Sequence, residues 1–446
     1  MTDKNHDVLI SPRGALGALR GLLKAGPATL DAAMPEAMPE GVDARGADAP
    51  DDEALRQQIS SGLEEALSLF EAQVDRGSIM FAPDHGPASL FQSFLAETAS
   101  GSFEDLRHGG KLDLLADGDY EAKFDEHDVV GWATSLVTWW RRLRKRPYAG
   151  PSETPDRIPA HARVAVLGDW GSGRYGAPIS AATIEQARPA YDMVLHLGDV
   201  YYSGTTKEVQ DRFLSVWPTI PGALSRALNS NHEMYSGGEG YFDRTLPAFH
   251  QPSSCFAVEN DHFLLVGLDT GYRDNDLTPD QAPWLTRLVE RAEARHQKVI
   301  LFSHHQPYSA FEGRGDKIVE KLLPLLSSRR IFAWYWGHEH RAVVYDPHPQ
   351  WGVRGRLVGH SGFPYFRDRV TDRPLVSSNP DGSQWRRIVR DGTPDAMVLD
   401  GTNPYVIGEE SRFGPHGHVT LELDDARLIE TFHAPDGLVL LSREVT

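Results

Sequence analysis

Five short segments between residues 168 and 340 concentrate side chains that bind cations: Gly168-Asp169-Trp170-Gly171, Gly198-Asp199-Val200-Tyr201-Tyr202, Asn231-His232-Glu233, His304-His305 and Gly337-His338-Glu339-His340. Each follows a compact apolar run, and together they offer two carboxylates, an amide, at least three imidazoles and a phenol. A carboxylate can bridge two cations, while imidazoles and neutral oxygens complete both coordination shells. Such a set points to hydrolysis at a two-metal site. Taken singly the segments say less. Gly-Asp after a strand is an ordinary turn or helix cap, Asn231 is a common turn residue, and a lone histidine is more often a satisfied polar group than a ligand. Their order and shared context make them one site.

Rigid elements must hold these residues in place. Apolar runs at 164–167, 193–197, 263–268, 298–302 and 331–335 alternate with helix-like or turn-rich stretches at 179–187, 208–216, 284–294 and 317–326. This is the texture of buried strands in a layered α/β domain. In such sheets, sites form in loops beyond the carboxyl ends of strands, where all five segments fall. Three short runs at 418–423, 427–432 and 438–441 read as strands returning to a sheet edge.

The first third differs in texture. Residues 14–30 suggest a loose helix, and 34–53 an acidic Pro/Gly-rich linker. Leu55, Ile59, Leu63, Leu67 and Phe70 recur at helical spacing over 53–74. Further helices are expected over 87–98 and 129–143, before a Pro-rich joint at 147–159. The boundaries expected are therefore 1–155, mainly helical, and 156–446. Trp139 and Trp140 precede Arg141, Arg142, Arg144, Lys145 and Arg146. The preferred reading is a packed helix with cations near its C-terminus; the lesser one is a peripheral membrane or partner contact.

At 446 residues, with 40% apolar and 24% charged side chains, the chain can build a sizeable core. A net charge of −18 argues against nucleic acid as a partner. Cys255 is the only cysteine, which fits a reducing compartment. The first ten residues lack the apolar core of a secretory signal, and 129–140 is too short to span a bilayer. A cytoplasmic location is the expectation.

The order Asp, Gly-Asp, Asn-His-Glu, His, Gly-His-x-His resembles the calcineurin-like metallophosphoesterases over roughly 161–364. The resemblance implies a four-layer αββα sandwich, with 156–446 as the catalytic domain. The first two segments resemble purple acid phosphatases more narrowly. Gly171 stands where most of the superfamily has a histidine, and Tyr202, three residues after Asp199, stands where purple acid phosphatases place a metal-binding tyrosine. The implied first metal takes Asp169, Tyr202 and His340, with Asp199 bridging; the second takes Asp199, Asn231, His304 and His338. A phenolate favours a strongly Lewis-acidic ion, so Fe(III) with a divalent Fe, Mn or Zn is the expected pair. Tyr201 is the competing phenol. His304, first after its apolar run, is the expected ligand, leaving His305 to support it or face substrate. The usual glycine before Asn-His is Ser230 here, a residue that can also fill the turn.

The expected reaction is hydrolysis of phosphate esters, phosphomonoesters of small molecules above all, by a metal-bound hydroxide. His232 faces the leaving oxygen as general acid or hydrogen-bond donor. Glu233 either orients His232 or is a solvated loop acid. The alternatives are a phosphodiesterase or protein phosphatase of the same fold, and a non-catalytic scaffold acting through its N-terminal helices.

Overall fold

The computed structural model describes residues 143–367 and 370–446, together with 16–17, 19–20, 22–23, 52–74, 84–99, 110–114, 120–124, 136 and 140. It divides into two compact units, Met1–Lys145 with Tyr235–Gly237, and Arg146–Met234 with Gly238–Thr446.

In the first unit, helix Asp52–Val74 buries Ile59, Leu63, Ala66 and Phe70, the stripe that helical periodicity requires. Helix Gly86–Ala99 buries Leu90, Phe91, Phe94 and Leu95. His85 joins the two: one ring nitrogen lies 2.8 Å from the Glu65 carboxylate, and the other accepts the Ala88 amide at 3.2 Å. The unit also holds a hairpin of β1 (Gly110–Leu114) and β2 (Tyr120–Phe124). The sequence reading, which expected a mainly helical region, did not include it. The linker expected over 34–53 lies outside the described residues, except that helix Asp52–Val74 takes in its last two positions. The helix expected over 129–143 lies outside them except at 136, 140 and 143.

The second unit is an αββα sandwich. Its strands begin with β3 (Asp156–Arg157), β4 (Ala162–Leu167), β5 (Met193–His196) and β6 (Leu224–Ala227). Next come β7 (Phe256–Glu259), β8 (Phe263–Gly267), β9 (Lys298–Ser303), β10 (Ile331–Trp336), β11 (Ala342–Tyr345) and β12 (Arg354–Val358). The last are β13 (Leu375–Ser378), β14 (Gln384–Ile388), β15 (Ala396–Asp400), β16 (His418–Asp424), β17 (Arg427–His433) and β18 (Val439–Glu444). One sheet runs β18-β17-β16-β4-β5-β6, the other β13-β14-β15-β11-β12-β10-β9-β8-β7-β3. β4, β5 and β6 are mutually parallel, as are β8, β9, β10 and β12.

Alternation along these strands builds three cores. Val164, Val166 and Leu195 face Leu265, Ile300, Phe302 and Ala333 between the sheets. The intervening Ala165, Leu167 and Val194 pack under helix Ala177–Gln186. Leu264, Val266, Leu301 and Trp334 pack under helices Gln281–Ala294 and Asp316–Ser327. Strands buried on both faces read as unbroken apolar runs, which is why periodicity located them. Truncating Ile300 to alanine in the inter-sheet core would cost about 2–5 kcal/mol. Across the same core, Arg356 on β12 pairs with Glu430 on β17 at 2.8 Å, and Tyr335 donates to Glu430 at 2.9 Å. The three tail strands extend the smaller sheet through β16, which pairs with β4.

Candidate metal centre

All five segments lie just beyond carboxyl ends of parallel strands: Asp169 after β4, Asp199 after β5, Asn231 after β6, His304 after β9 and His338 after β10. The site therefore straddles the ends of both sheets. The chain turns there sharply enough that Asp169, Asp199, His338 and His340 all take positive φ, at 56°, 78°, 76° and 52°. Side-chain-bearing residues held so cost roughly 1–3 kcal/mol each and persist only where surroundings over-determine them. Here the Asp169 amide donates to the Gly198 carbonyl at 3.0 Å, and the Gly337 amide to the His304 carbonyl at 3.0 Å. The Asp169 carboxylate accepts the His338 amide at 2.9 Å. Gly198 has φ +106°, and a Cβ there would lie 2.8 Å from His304 Nδ1. Any side chain at that position collides with the site.

The side chains gather in two groups. In the first, ligand atoms of Asp169, Asp199 and His340 lie within 4.8 Å of one another. In the second, those of His304, His305 and His338 do the same. His304 joins the two groups. Its Nδ1 faces the Leu197 carbonyl at 2.9 Å, and a carbonyl only accepts, so Nδ1 carries the proton. Its Nε2 then presents a lone pair to Asn231 Oδ1 at 3.0 Å and to Asp199 Oδ1 at 3.2 Å. Burial pushes the His304 imidazole down to about 4, so no second proton resolves the conflict near neutrality. Three acceptors converge with no hydrogen between them, a donor set that a cation satisfies.

The phenol in the site is that of Tyr201, where the spacing favoured Tyr202. The Tyr201 hydroxyl donates to Asp199 Oδ2 at 2.5 Å and lies 2.6 Å from His340 Nε2, which is itself 3.4 Å from Asp169 Oδ1. Tyr202 also contacts Glu208 and Arg212. Its amide donates to Glu208 at 2.7 Å, and its ring lies 5.2 Å from the guanidinium of Arg212, which pairs with Glu208. Gly171 explains the missing imidazole: with φ +71°, a Cβ there would come within 3.3 Å of Phe363, whose ring packs on Tyr201 and His340.

His305 turns away from Asp199, with Nδ1 2.9 Å from Thr270 Oγ1. His232 Nδ1 donates to the Tyr202 carbonyl at 2.6 Å, and its ring packs on Tyr201 with centroids 4.2 Å apart. Glu233 is not a solvated loop acid. It is buried, and its carboxylate accepts the amides of Asp199 at 3.2 Å and Val200 at 3.1 Å. Nothing in the sequence distinguished that role except the adjacency of an acid to Asn-His. Glu312, 3.6 Å from His338 Nε2, was also missed, because its loop carries no periodic signal. Arg354, at the start of β12, donates to Thr446 O, and Arg367 pairs with Asp400.

Burial and the charge of Asp199 raise the Asp169 carboxyl well above its ordinary range. Burial acts on Asp199 in the same direction, but His304, His232, His338 and the Ser230 hydroxyl outweigh it and hold Asp199 well below. Of the two carboxyls, Asp199 is therefore the more readily ionised. Burial pushes His340 down to about 3, and burial with the Asp199 charge lifts Glu233 to about 8. Burial, then Asp199 and Asp169, hold the Tyr201 phenol protonated far above its ordinary range. Only a strong Lewis acid beside it would ionise that oxygen.

Residues 162–342, a span containing all five segments, match the calcineurin-like phosphoesterase family. No curated protein sequence matches the chain. Among solved structures, a purple acid phosphatase from yellow lupin seeds shares 16% identity, with a TM-score of 0.47 over 75% of this chain and 58% of that one. The chain thus spans somewhat over half of that relative's length. GAP50 of Plasmodium, described as the anchor in the inner membrane complex, shares 14% identity with a TM-score of 0.44, covering 64% of this chain and 89% of its own. A dimetal phosphatase from Danio rerio shares 12% with a TM-score of 0.39, covering 64% and 98%. The span that matches the calcineurin-like phosphoesterase family, residues 162–342, is the one whose motif residues gather at the sheet ends.

Proposed function

We propose that the chain is a binuclear-metal phosphoesterase whose favoured substrates are phosphomonoesters of small molecules. The observation that carries this reading is the convergence of His304 Nε2, Asn231 Oδ1 and Asp199 Oδ1. One cation would be held by Asp169, Tyr201 and His340, the other by Asn231, His304 and His338, with Asp199 shared. Tyr201 replaces Tyr202 in this assignment because its oxygen is the one between Asp199 and His340. A phenol so placed favours Fe(III) at the first position, with divalent Fe, Mn or Zn at the second. When bound, such a pair supplies Lewis acidity and an acidified water.

The chain's own groups do the rest. Asp199 faces one oxygen to each half of the site and sets their separation. His232, its Nδ1–H committed to the Tyr202 carbonyl, presents Nε2 as the atom that takes and returns a proton at the leaving oxygen. A monoester dianion matches two adjacent cations better than a diester monoanion does. We place the catalytic domain at 156–446 and treat 1–155 as an accessory region. No helix among the described residues is long and apolar enough to cross a membrane. A cytoplasmic setting is part of the proposal, supported by a single, buried cysteine.

The test is turnover of an aryl phosphate and of its bis-aryl diester after reconstitution with iron, manganese or zinc. The reading expects hydrolysis of the monoester with the higher kcat/KM. Diester turnover exceeding monoester turnover would overturn the substrate assignment. No hydrolysis of either by metal-loaded protein would overturn the reading itself.

A further inference from the structure

Ser230 replaces the glycine that usually precedes Asn-His, and its side chain is not idle. It is fully buried and wedged between two glycines: a Cβ on Gly198 would lie 2.9 Å from the Ser230 Cβ, and one on Gly271 2.7 Å from its backbone. The Ser230 hydroxyl contacts Asp199 Oδ1 and Glu233 Oε2, and accepts the His232 amide at 3.1 Å. Oδ1 is the Asp199 oxygen beside His304, while Oδ2 faces Tyr201. Asp199 is thus gripped twice, its backbone amide by Glu233 and its Oδ1 by Ser230.

We infer that Ser230 is a positioning residue for the shared carboxylate: its hydroxyl fixes the rotation of Asp199 so that Oδ1 stays on the Asn231–His304 side and Oδ2 on the Tyr201–His340 side. The inference deepens the two-metal reading and rests on it. A glycine at 230 leaves Asp199 Oδ1 without this donor, so the carboxylate can rotate about its terminal torsion, which is soft. Partners that orient metal ligands through hydrogen bonds are commonly worth 10- to 100-fold in metal affinity. The loss should fall on the cation beside His304, whose oxygen ligand Ser230 holds.

The experiment uses the metal-free full chain. Zn2+ is titrated against a competing chelator into wild type, Ser230→Ala and Ser230→Gly, and metal-free thermal unfolding is recorded for each. The expected result is that one of two stepwise dissociation constants rises about 10- to 100-fold in both variants while the other changes little. A serine acting only as the cap of the short helix Asn231–Tyr235 would lower the metal-free unfolding temperature and leave both constants unchanged; that outcome overturns the inference. Wild-type protein that binds no Zn2+ would overturn the two-metal reading, and the inference with it. Wild-type binding with unchanged constants in both variants overturns the inference alone.

Discussion

Replacing Glu233 with glutamine in the metal-free protein isolates the electrostatic cost of the Asp199 turn. The Asp199 and Val200 amides donate to different Glu233 oxygens, so glutamine keeps a carbonyl acceptor for one of them while removing the ionisable group; the lost acceptor lowers stability by an amount that does not vary with pH. Burial and the neighbouring Asp199 charge lift Glu233 from an ordinary 4.5 to about 8. A carboxyl raised in this way holds a proton that the unfolded chain releases. Its contribution to stability is therefore complete below pH 4.5 and is lost as pH climbs to about 8. Within that window each pH unit removes up to about 1.4 kcal/mol, or about 5 kcal/mol in all. The buried histidines work in the opposite direction at lower pH. His196, His304 and His340 are pushed down to about 3–4, so the folded state binds fewer protons than the unfolded one and stability rises toward pH 6.5. They cancel in the difference between wild type and variant. Urea unfolding with a chelator present, repeated from pH 5.5 to 8.5, reads that difference. It should shift toward the variant by about 1.4 kcal/mol per unit up to pH 8. A difference flat across the interval would refute the claim that Glu233 is buried as a neutral acid.

Three further perturbations separate the parts of the account. In the oxidised iron form, Tyr201→Phe should abolish a visible phenolate-to-iron band that Tyr202→Phe preserves; visible absorption decides, and the reverse result would restore the spacing-based choice. His232→Ala should lower kcat about 10²- to 10⁴-fold with a smaller change in KM, measured with an aryl phosphate; an aryl leaving group acidic enough to depart unassisted should narrow the loss. Glu430→Gln removes one partner of the buried Arg356 pair between the sheets and should cost about 3–5 kcal/mol by chemical denaturation. A cost below about 1 kcal/mol, the range of exposed pairs, would show that water reaches the pair.

The parallel strands β4, β5, β8, β9 and β10 were legible because burial on both faces leaves no polar alternation, whereas β6 and β12, which carry Ser225, Arg226, Arg354 and Arg356, were not read. The candidate site segments were legible because most sit where apolar runs stop. The remaining strands were harder. β14 reads Gln384-Trp385-Arg386-Arg387-Ile388, mixed in character because one face meets solvent, and β13 exposes every position. The hairpin of β1 and β2 did carry alternation in Leu112, Leu114, Tyr120, Ala122 and Phe124, but its surroundings resembled linker. At the site, sequence spacing set the order of ligands without setting their directions. Asp199 at φ 78° breaks the alternation that would predict which of two adjacent tyrosines points inward. Glu208 takes the Tyr202 amide and Arg212 lies over its ring, contacts that spacing alone does not reveal. His304 follows β9 directly, so the strand's own geometry aims it at Asn231 and Asp199.

The central claim is that a pair of cations shares Asp199. Reconstitution with Zn2+ or with iron and zinc, followed by metal analysis and anomalous diffraction, tests it directly. The account predicts two cations per chain, one beside Asp169, Tyr201 and His340 and one beside Asn231, His304 and His338, each in contact with Asp199. A fully reconstituted protein with no anomalous peak there would contradict it. So would an Asn231 amide turned to donate its N–H groups to His304 and Asp199 in place of a cation.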